Sequence, residues 1–227
     1  MAAPTSYRPR VQAMIDGLRG VQGLRVVQAV IAPPASPEAL ATAVRYAGRL
    51  PRGVAEFYTE LNGFELRWET GDAARQGAIQ FLPVERIFGP WQGSLWFDDF
   101  PGGDRFRAVK PFDFFQPEAC AAFLQETDRP PGDEVHFHVV GEALCPTGLT
   151  FPDYLELALT ARGFHYWQTT LCPETTANPE ARAFQQHAPA LFPNLPTERF
   201  RPRAGRPKAS SGRRRPPPPP ASSPSRV

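Results

Sequence analysis

The chain has 227 residues, 41% of them hydrophobic, and a net charge of +2, a length that suits one ordinary domain with extensions. Nothing in it approaches the roughly 18 consecutive apolar residues of a membrane span, so we expect no membrane insertion. The charge is unevenly divided: residues 199–227 carry nine Arg or Lys and no Asp or Glu, which leaves 16 basic and 23 acidic side chains, a net of −7, in residues 1–198. This division bears on partners and association rates rather than on the fold.

The three cysteines, Cys120, Cys145 and Cys172, are odd in number, widely spaced and form no C-x-x-C pair. This pattern argues against a disulfide framework or a zinc–thiolate site and is typical of a reducing cytosol. Residues Met1–Gly20 also lack the apolar core of a signal peptide. We therefore expect a cytoplasmic protein.

Residues 1–35 are predicted to be an N-terminal extension with a short helix at Val11–Gly20 and a strand at Leu24–Ile31. A helix should then begin after Ser36, whose side chain can cap it, with Pro37 in its first turn. We expect this helix to pack at an angle against the next one along the chain.

The second helix starts near Pro51 and has one apolar stripe of 3.6-residue period: Val54, Phe57, Tyr58 and Leu61. Asn62-Gly63 provides the left-handed stop that a helix C-terminus favours. The period then changes to two at Phe64, Leu66 and Trp68, which predicts a half-buried strand. We interpret this corner as the centre of the domain, with four structural residues: Leu61, Gly63, Trp68 and the more distant Trp167.

The middle of the chain is predicted to alternate strands with one helix. Strands are expected at Ala78–Leu82, Leu95–Phe97, Phe106–Phe115 and Glu134–Val140. The helix is expected at Gln116–Glu126, on a stripe of Cys120, Phe123 and Leu124.

Thr150-x-x-Asp153 resembles a capping box and predicts the start of a closing helix. Gly163 should end that helix, and Phe164–Trp167 should fold back onto the core. Residues 172–198 are expected to be an extension with a possible short helix that begins at Asn178 and ends at Pro189. Residues 199–227, rich in Arg, Pro and Ser, are expected to be a disordered basic tail.

Two stretches resemble a known family. The Leu-Pro … Phe-Tyr … Leu-Asn-Gly-Phe … Trp pattern of residues 50–68 resembles the SUKH superfamily in its Smi/Knr cell-wall-assembly-regulator branch, and residues 149–168, LTFPDYLELALTARGFHYWQ, look like that branch's closing helix and trailing aromatic segment. The two matches frame residues 36–171 as a SUKH-like α+β domain. The resemblance implies an N-terminal helix pair, an antiparallel sheet of about four to six strands and a covering C-terminal helix.

The resemblance implies a protein-binding module rather than an enzyme, and it implies no catalytic residue and no cofactor. Many bacterial SUKH proteins look like immunity proteins that bind and neutralise a cognate toxin, often a nuclease, and the acidic body is compatible with a basic partner. The fungal members of the branch resemble regulatory scaffolds, which is the alternative function. The basic tail could bind nucleic acid, an anionic surface, a proline-binding domain or the acidic body, or be a solvated appendage. We expect no nucleic-acid binding except through this tail.

A third hypothesis is a metal-dependent enzyme built on His136 and His138. In a strand both imidazoles point to one face together with Glu134, and two histidines and a carboxylate can hold a metal. The same pattern also fits two histidines on the solvent side of an amphipathic strand. Because the spacing fixes no third strong ligand, we expect no metal. A lone Cys145 near these histidines is interpreted as a small buried residue, not a nucleophile.

The best candidate for a binding surface is Pro90–Asp104, which mixes aromatic, acidic and glycine residues without a helical period. Trp side chains anchor many interfaces, and acids steer basic partners toward them. The predicted partner-binding residues are Trp91, Trp96, Asp98, Asp99 and Asp104. The alternative is that the aromatic rings pack in the core and the acids keep the loop soluble.

Overall fold

The computed structural model describes residues 6–96, 104–140, 144–173 and 178–203. The helices are α1 (Tyr7–Arg19), α2 (Pro37–Ala47), α3 (Val54–Tyr58), α4 (Val84–Ile87), α5 (Asp104–Arg107), α6 (Phe151–Ala161) and α7 (Pro179–Leu191). The strands are β1 (Leu24–Ile31), β2 (Phe64–Thr70), β3 (Gln76–Phe81), β4 (Val109–Gln116), β5 (Ala119–Leu124), β6 (Val135–Val139) and β7 (Cys145–Leu149). Short 3₁₀ helices follow at Trp167–Leu171 and Thr197–Arg199. Within the described ranges no helix is long and apolar enough to cross a membrane.

The described strands form one antiparallel sheet in chain order from β1 to β7. The α+β class is therefore confirmed, and the sheet has seven strands where about four to six were expected. One additional strand comes from Gln116–Glu126, which was predicted to be a helix and instead forms β5. The prediction failed because five of the six residues of β5 are buried, so its sequence shows no alternation to distinguish a strand from a buried helix.

The corner between the second helix and the strand after it forms as predicted, but the structure requires Gly63 for a reason other than the predicted one. Leu61 and Trp68 are buried, but α3 ends at Tyr58, before Asn62-Gly63. Gly63 has a φ of +92°, and a Cβ built on it would lie 2.2 Å from the backbone oxygen of Phe81. Gly63 is therefore required where the chain passes close to β3 on its way into β2, not as the cap of a helix.

The predicted helix starts after Ser36 and after Thr150 are also confirmed. Ser36 Oγ accepts a hydrogen bond from the Ala39 N–H at 3.1 Å, and the Thr150 hydroxyl donates to Asp153 Oδ2 at 2.9 Å within a capping box. Trp167 folds back onto α6, with its ring centroid 5.2 Å from that of Tyr154. These features depend on neighbours in the sequence, which is why the sequence predicts them.

The segments on either side of residues 36–171 belong to the same core. β1 pairs with β2 along its length, and α1 buries its apolar face in the main cluster. α7 begins at the Asn178 cap as expected but continues past Pro189 to Leu191. The expectation that residues 199–227 are wholly disordered is wrong at its start, because Phe200 is buried with its ring centroid 4.8 Å from that of Phe184. Residues 204–227 lie outside the described ranges.

The pairing of neighbouring strands is interrupted between β3 and β4. Only one registered pair, Phe81 with Asp113, joins these strands. The rest of the β3 edge bonds to the chain after α6: the Ala78 N–H donates to Gly163 at 2.7 Å and the His165 N–H donates to Gln76 at 3.0 Å. Asp113 is buried at this opening of the sheet. A small apolar cluster, separate from the main core, consists of Ala78, Phe115, Ala119 and Phe137.

Candidate functional site

Trp91, the first aromatic residue of the candidate segment, anchors it to the core. Its side chain is 7% exposed, and its ring stacks on Phe114 with centroids 5.9 Å apart. Its Nε1–H donates to the carbonyl of Ile87 at 2.9 Å, using an acceptor at the C-terminal end of α4. The indole is therefore not presented to a partner. The structure gives Trp91 a positioning role in place of the partner contact that the sequence predicts.

Trp96, the second aromatic residue, is half-buried and lies at the end of a hydrogen-bonded turn. The Leu95 N–H donates to the Trp91 carbonyl at 2.9 Å, and the Gly93 N–H donates to the Trp96 carbonyl at 2.8 Å. The predicted strand at Leu95–Phe97 is not formed, because Leu95 lies in this turn and Trp96 makes only an isolated bridge with Gln92. The prediction at Phe97 lies outside the described residues.

The guanidinium of Arg107 covers one side of the Trp96 ring, with its central carbon 4.6 Å from the ring centroid. This cation–π contact joins the two sides of the candidate segment, since Arg107 ends α5. Asp98 and Asp99 lie between these two residues in the sequence and outside the described ranges. Asp104 is the first residue of α5. The structure thus brings together Trp96 and Arg107 at the two ends of the acidic stretch.

The two histidines of β6 have different surroundings. His138, expected on the solvent side, is 2% exposed, with its ring centroid 5.1 Å from that of Phe106. That expectation is wrong because α5 carries Phe106 over this face of the strand, which the sequence pattern of β6 alone does not reveal. His136 is half-buried. Within the described ranges, no group of three His, Cys, Asp or Glu side chains is placed to hold a metal ion.

Sequence reasoning missed a buried polar network at the opening between β3 and β4. Asp113, fully buried, accepts a hydrogen bond from the Gln80 N–H at 2.8 Å and another from the Tyr154 hydroxyl at 2.7 Å. Gln168 Nε2 donates in turn to the Tyr154 oxygen at 2.9 Å. Burial raises the pKa of Asp113 to about 7 and raises the pKa of Tyr154 well above its usual value.

This network is closed to a substrate, because Asp113, Tyr154 and Gln168 are all buried at 1% exposure or less. It joins β3, β4, α6 and the following 3₁₀ helix, so its role is to satisfy the backbone where the ladder is interrupted. A sequence signal was present: Asp113 is a single acid within the apolar run Val109-Lys-Pro-Phe-Asp-Phe-Phe115. The partner Tyr154 is 41 residues away, and no local pattern connects the two.

The inference from the cysteine pattern against disulfide bonding is wrong. Cys145 and Cys172 form a disulfide with a Cα–Cα distance of 5.9 Å, which joins β7 to the end of the 3₁₀ helix after α6. Cys145 is half-buried and bonded, not a small buried residue, and as a disulfide it is not available as a nucleophile. Cys120 is the free cysteine of the described chain and is buried. Two cysteines 27 residues apart give no spacing signal of their own.

No protein-family model matches this chain, and no curated protein gives a significant match. The SUKH resemblance accordingly depends on the motifs at residues 50–68 and 149–168, and the function is inferred from the residues themselves.

Proposed function

We propose that this protein is a non-enzymatic binding module that neutralises a basic toxin protein by direct contact. The observation that carries the proposal is the pairing of a half-buried Trp96 with Arg107 at the two ends of an acidic stretch. Trp and Arg side chains are enriched among the few residues that supply most of the energy at protein interfaces. The SUKH resemblance supports the immunity function within this class.

The part of the segment that carries Trp96, residues 91–96, is suited to binding because its conformation is fixed before a partner arrives. Trp91 anchors the turn on Phe114 and on the carbonyl of Ile87, and Leu95 is also buried beneath it. Two backbone hydrogen bonds hold the turn that carries Trp96. A ring held in this way loses little conformational entropy on binding, so more of its contact energy contributes to affinity.

The negative charge of residues 1–198 supports the proposal of a basic partner. Residues 1–198 have a net charge of −7, and Asp98, Asp99 and Asp104 add three carboxylates to the candidate segment. Toxins that cleave nucleic acid carry basic surfaces, and an acidic inhibitor associates with such a surface quickly at low ionic strength. This argument predicts two separable contributions, with the acids acting on association and the ring on dissociation.

The test is co-expression of the full chain with toxin domains encoded beside its gene, followed by binding kinetics for the pair that restores growth. Trp96→Ala should raise the dissociation rate about 30-fold, which corresponds to roughly 2 kcal/mol, with the association rate nearly unchanged. The triple variant Asp98→Asn, Asp99→Asn, Asp104→Asn should slow association and flatten its dependence on salt.

A matched control removes the same amount of charge elsewhere. Asp16, Glu38 and Glu126 are exposed and lie outside the candidate segment, so their neutralisation changes the net charge equally. If the control triple slows association as much as the segment triple, the effect comes from total charge and the segment is not the interface. Unchanged dissociation in Trp96→Ala would also move the interface elsewhere. Binding to resident proteins without rescue from any neighbouring toxin would favour the regulatory scaffold over the immunity function.

A further inference from the structure

The disulfide joins a weakly held part of the sheet to a firmly held segment. β7 is the last strand of the sheet and has three registered pairs with β6. Pro146 within it has no N–H to donate, and both Pro146 and Gly148 are exposed. Such an edge strand has few interactions to hold it in place.

The two ends of β7 are held differently. At the C-terminal end, Leu149 is buried in the main core and the Thr147 hydroxyl donates to the carbonyl of Val135 at 2.6 Å. At the N-terminal end, Cys145 and Pro146 pair with Phe137 and His136 of β6, and Leu144 is half-buried against the main core. These contacts are less buried than those of Thr147 and Leu149, and the covalent bond to Cys172 adds a restraint to them.

The other partner of the bond is fixed independently. Trp167 and Leu171, which precede Cys172, are each 1% exposed, and Trp167 contacts the ring of Phe200 with centroids 5.8 Å apart. The Thr170 hydroxyl donates to the Trp167 carbonyl at 2.7 Å. Breaking the disulfide would leave this segment in place, and the consequence would fall on β7.

We propose that the Cys145–Cys172 disulfide is a redox-controlled latch on the open edge of the sheet. When the bond is formed, residues 144–146 cover the edge of β6 and the Phe137 side chain. When it is reduced, this end of β7 separates, while the Thr147–Leu149 end and the main core stay folded. An uncovered edge presents unpaired backbone groups beside an apolar ring, which is the arrangement that accepts a strand from a partner. This inference is independent of the proposed function of the Trp96 segment.

A low-molecular-weight thiol such as glutathione supplies the chemistry. One glutathione thiolate attacks a sulfur of the disulfide to give a mixed disulfide, and a second glutathione displaces the protein thiol. Two electrons and two protons thus pass to the two cysteines, and glutathione disulfide is released; oxidation is the reverse exchange. Both cysteines are half-buried and so within reach of a small thiol, whereas Cys120 is fully buried, and burial raises the pKa of its thiol above the usual value.

Hydrogen exchange with mass spectrometry on the full chain tests the latch. The protein is equilibrated with glutathione disulfide or with reduced glutathione, and native thiols are alkylated to count the two states. Reduction should speed exchange at the amides of Leu144 and Cys145 at least tenfold and leave β1, at the other edge of the sheet, unchanged. Cys145→Ser with Cys172→Ser should show fast exchange in both buffers. Cys120→Ser should respond to the buffers as the wild type does.

Three results would overturn the proposal. Alkylation of both Cys145 and Cys172 after treatment with glutathione disulfide would show that the bond does not form. Equal exchange at Leu144 and Cys145 in the two states would show that the bond restrains nothing. Faster exchange throughout the sheet on reduction would show a loss of global stability instead of a local opening. The wild-type comparison decides the matter even if the double variant fails to fold.

Discussion

The two halves of the sheet are built differently. β2 and β3 pair without interruption from Phe64–Phe81 to Glu69–Gln76, and β2 alternates buried and more exposed residues in its first five positions. The second half, from β4 to β7, has bulges in β4 on both sides of Asp113 and a further irregularity between β6 and β7. It also contains β5, which is buried on both faces, and the buried carboxyl group of Asp113.

The difference shows which kind of strand a sequence can specify locally. One wet face imposes a period of two on β2, and that period also fixes the register of β2 against β3. Burial on both faces removes the period, so the second half depends on contacts between distant residues, including the Asp113 network and the disulfide. The following predictions test whether the stability of each half comes from these different sources.

Trp68→Ala should have the largest effect and should act on the first half. The ring is 1% exposed, and its Nε1–H donates to the carbonyl of Arg162 at 2.6 Å. Truncation leaves a cavity and an unpaired carbonyl, so the free energy of unfolding should fall by about 5 kcal/mol in urea titrations. Arg67→Ala, at the exposed neighbouring position, should change it by no more than ~0.5 kcal/mol. Similar midpoints for the two variants would contradict the assignment of Trp68 to the core.

Asp113 should give the second half a dependence on pH. Its pKa is raised from 3.8 to about 7 in the folded protein because burial disfavours the charged form. The folded state therefore binds the proton more tightly than the unfolded state. The stability linked to Asp113 is full below pH 3.8 and is lost as pH rises from there to about 7, by roughly 4 kcal/mol.

Asp113→Asn tests this dependence, since the amide oxygen can still accept from the Gln80 N–H and carries no charge. The variant should lack the decline in stability that the wild type shows from pH 4 to 7, as measured by urea unfolding at several pH values. Asp133 provides a control of opposite sign, because hydrogen bonds from the Arg52 N–H and, to a smaller extent, from Arg49 lower its pKa. The stability linked to Asp133 therefore falls as pH falls, and Asp133→Asn should abolish this fall. An unchanged decline in Asp113→Asn would assign the pH dependence to another group.

Trp91→Ala and Trp96→Ala should separate the anchor of the candidate segment from its contact residue. Trp91 is buried and hydrogen-bonded, so its removal should cost about 3 kcal/mol of stability. Trp96 is half-buried, and its removal should cost less than ~1.5 kcal/mol while weakening partner binding. Thermal or urea midpoints of the two variants, measured without a partner, check this order. Equal losses would mean that Trp96 is also a core residue.

The sequence predicted those parts of the fold that neighbouring residues determine. The Ser36 cap, the Thr150 capping box and the alternating strand after Gly63 each depend on residues within a few positions. The interior placement of His138 could not be predicted in this way, because it depends on Phe106, 32 positions earlier in the numbering. The disulfide and the Asp113 network are likewise contacts between distant segments.

The candidate site was predicted as a segment but not residue by residue. Trp91 and Trp96 lie in the same run without periodicity, so composition alone gives them equal weight. What distinguishes them is the acceptor that α4 provides at Ile87 and the ring of Phe114, both of which hold Trp91 inward. The acids at positions 98 and 99 lie outside the described residues, and their predicted contact with a partner stays a prediction.

Ser36→Ala should have the smallest effect on stability, and it measures what a single helix cap contributes. Ser36 Oγ accepts the Ala39 N–H at 3.1 Å at the start of α2, which packs against α4 and so connects the corner to the candidate segment. Removing the cap leaves one N–H of the first turn unsatisfied, and the free energy of unfolding should fall by about 1 kcal/mol.

Ser36→Gly is the matched control, because glycine at this position should cost only a few tenths of a kcal/mol. If alanine and glycine lowered the urea midpoint equally, backbone preference would matter more than the hydrogen bond. A loss as large as that of Trp91→Ala would instead show that α2 is required to hold α4 and the aromatic anchor in place.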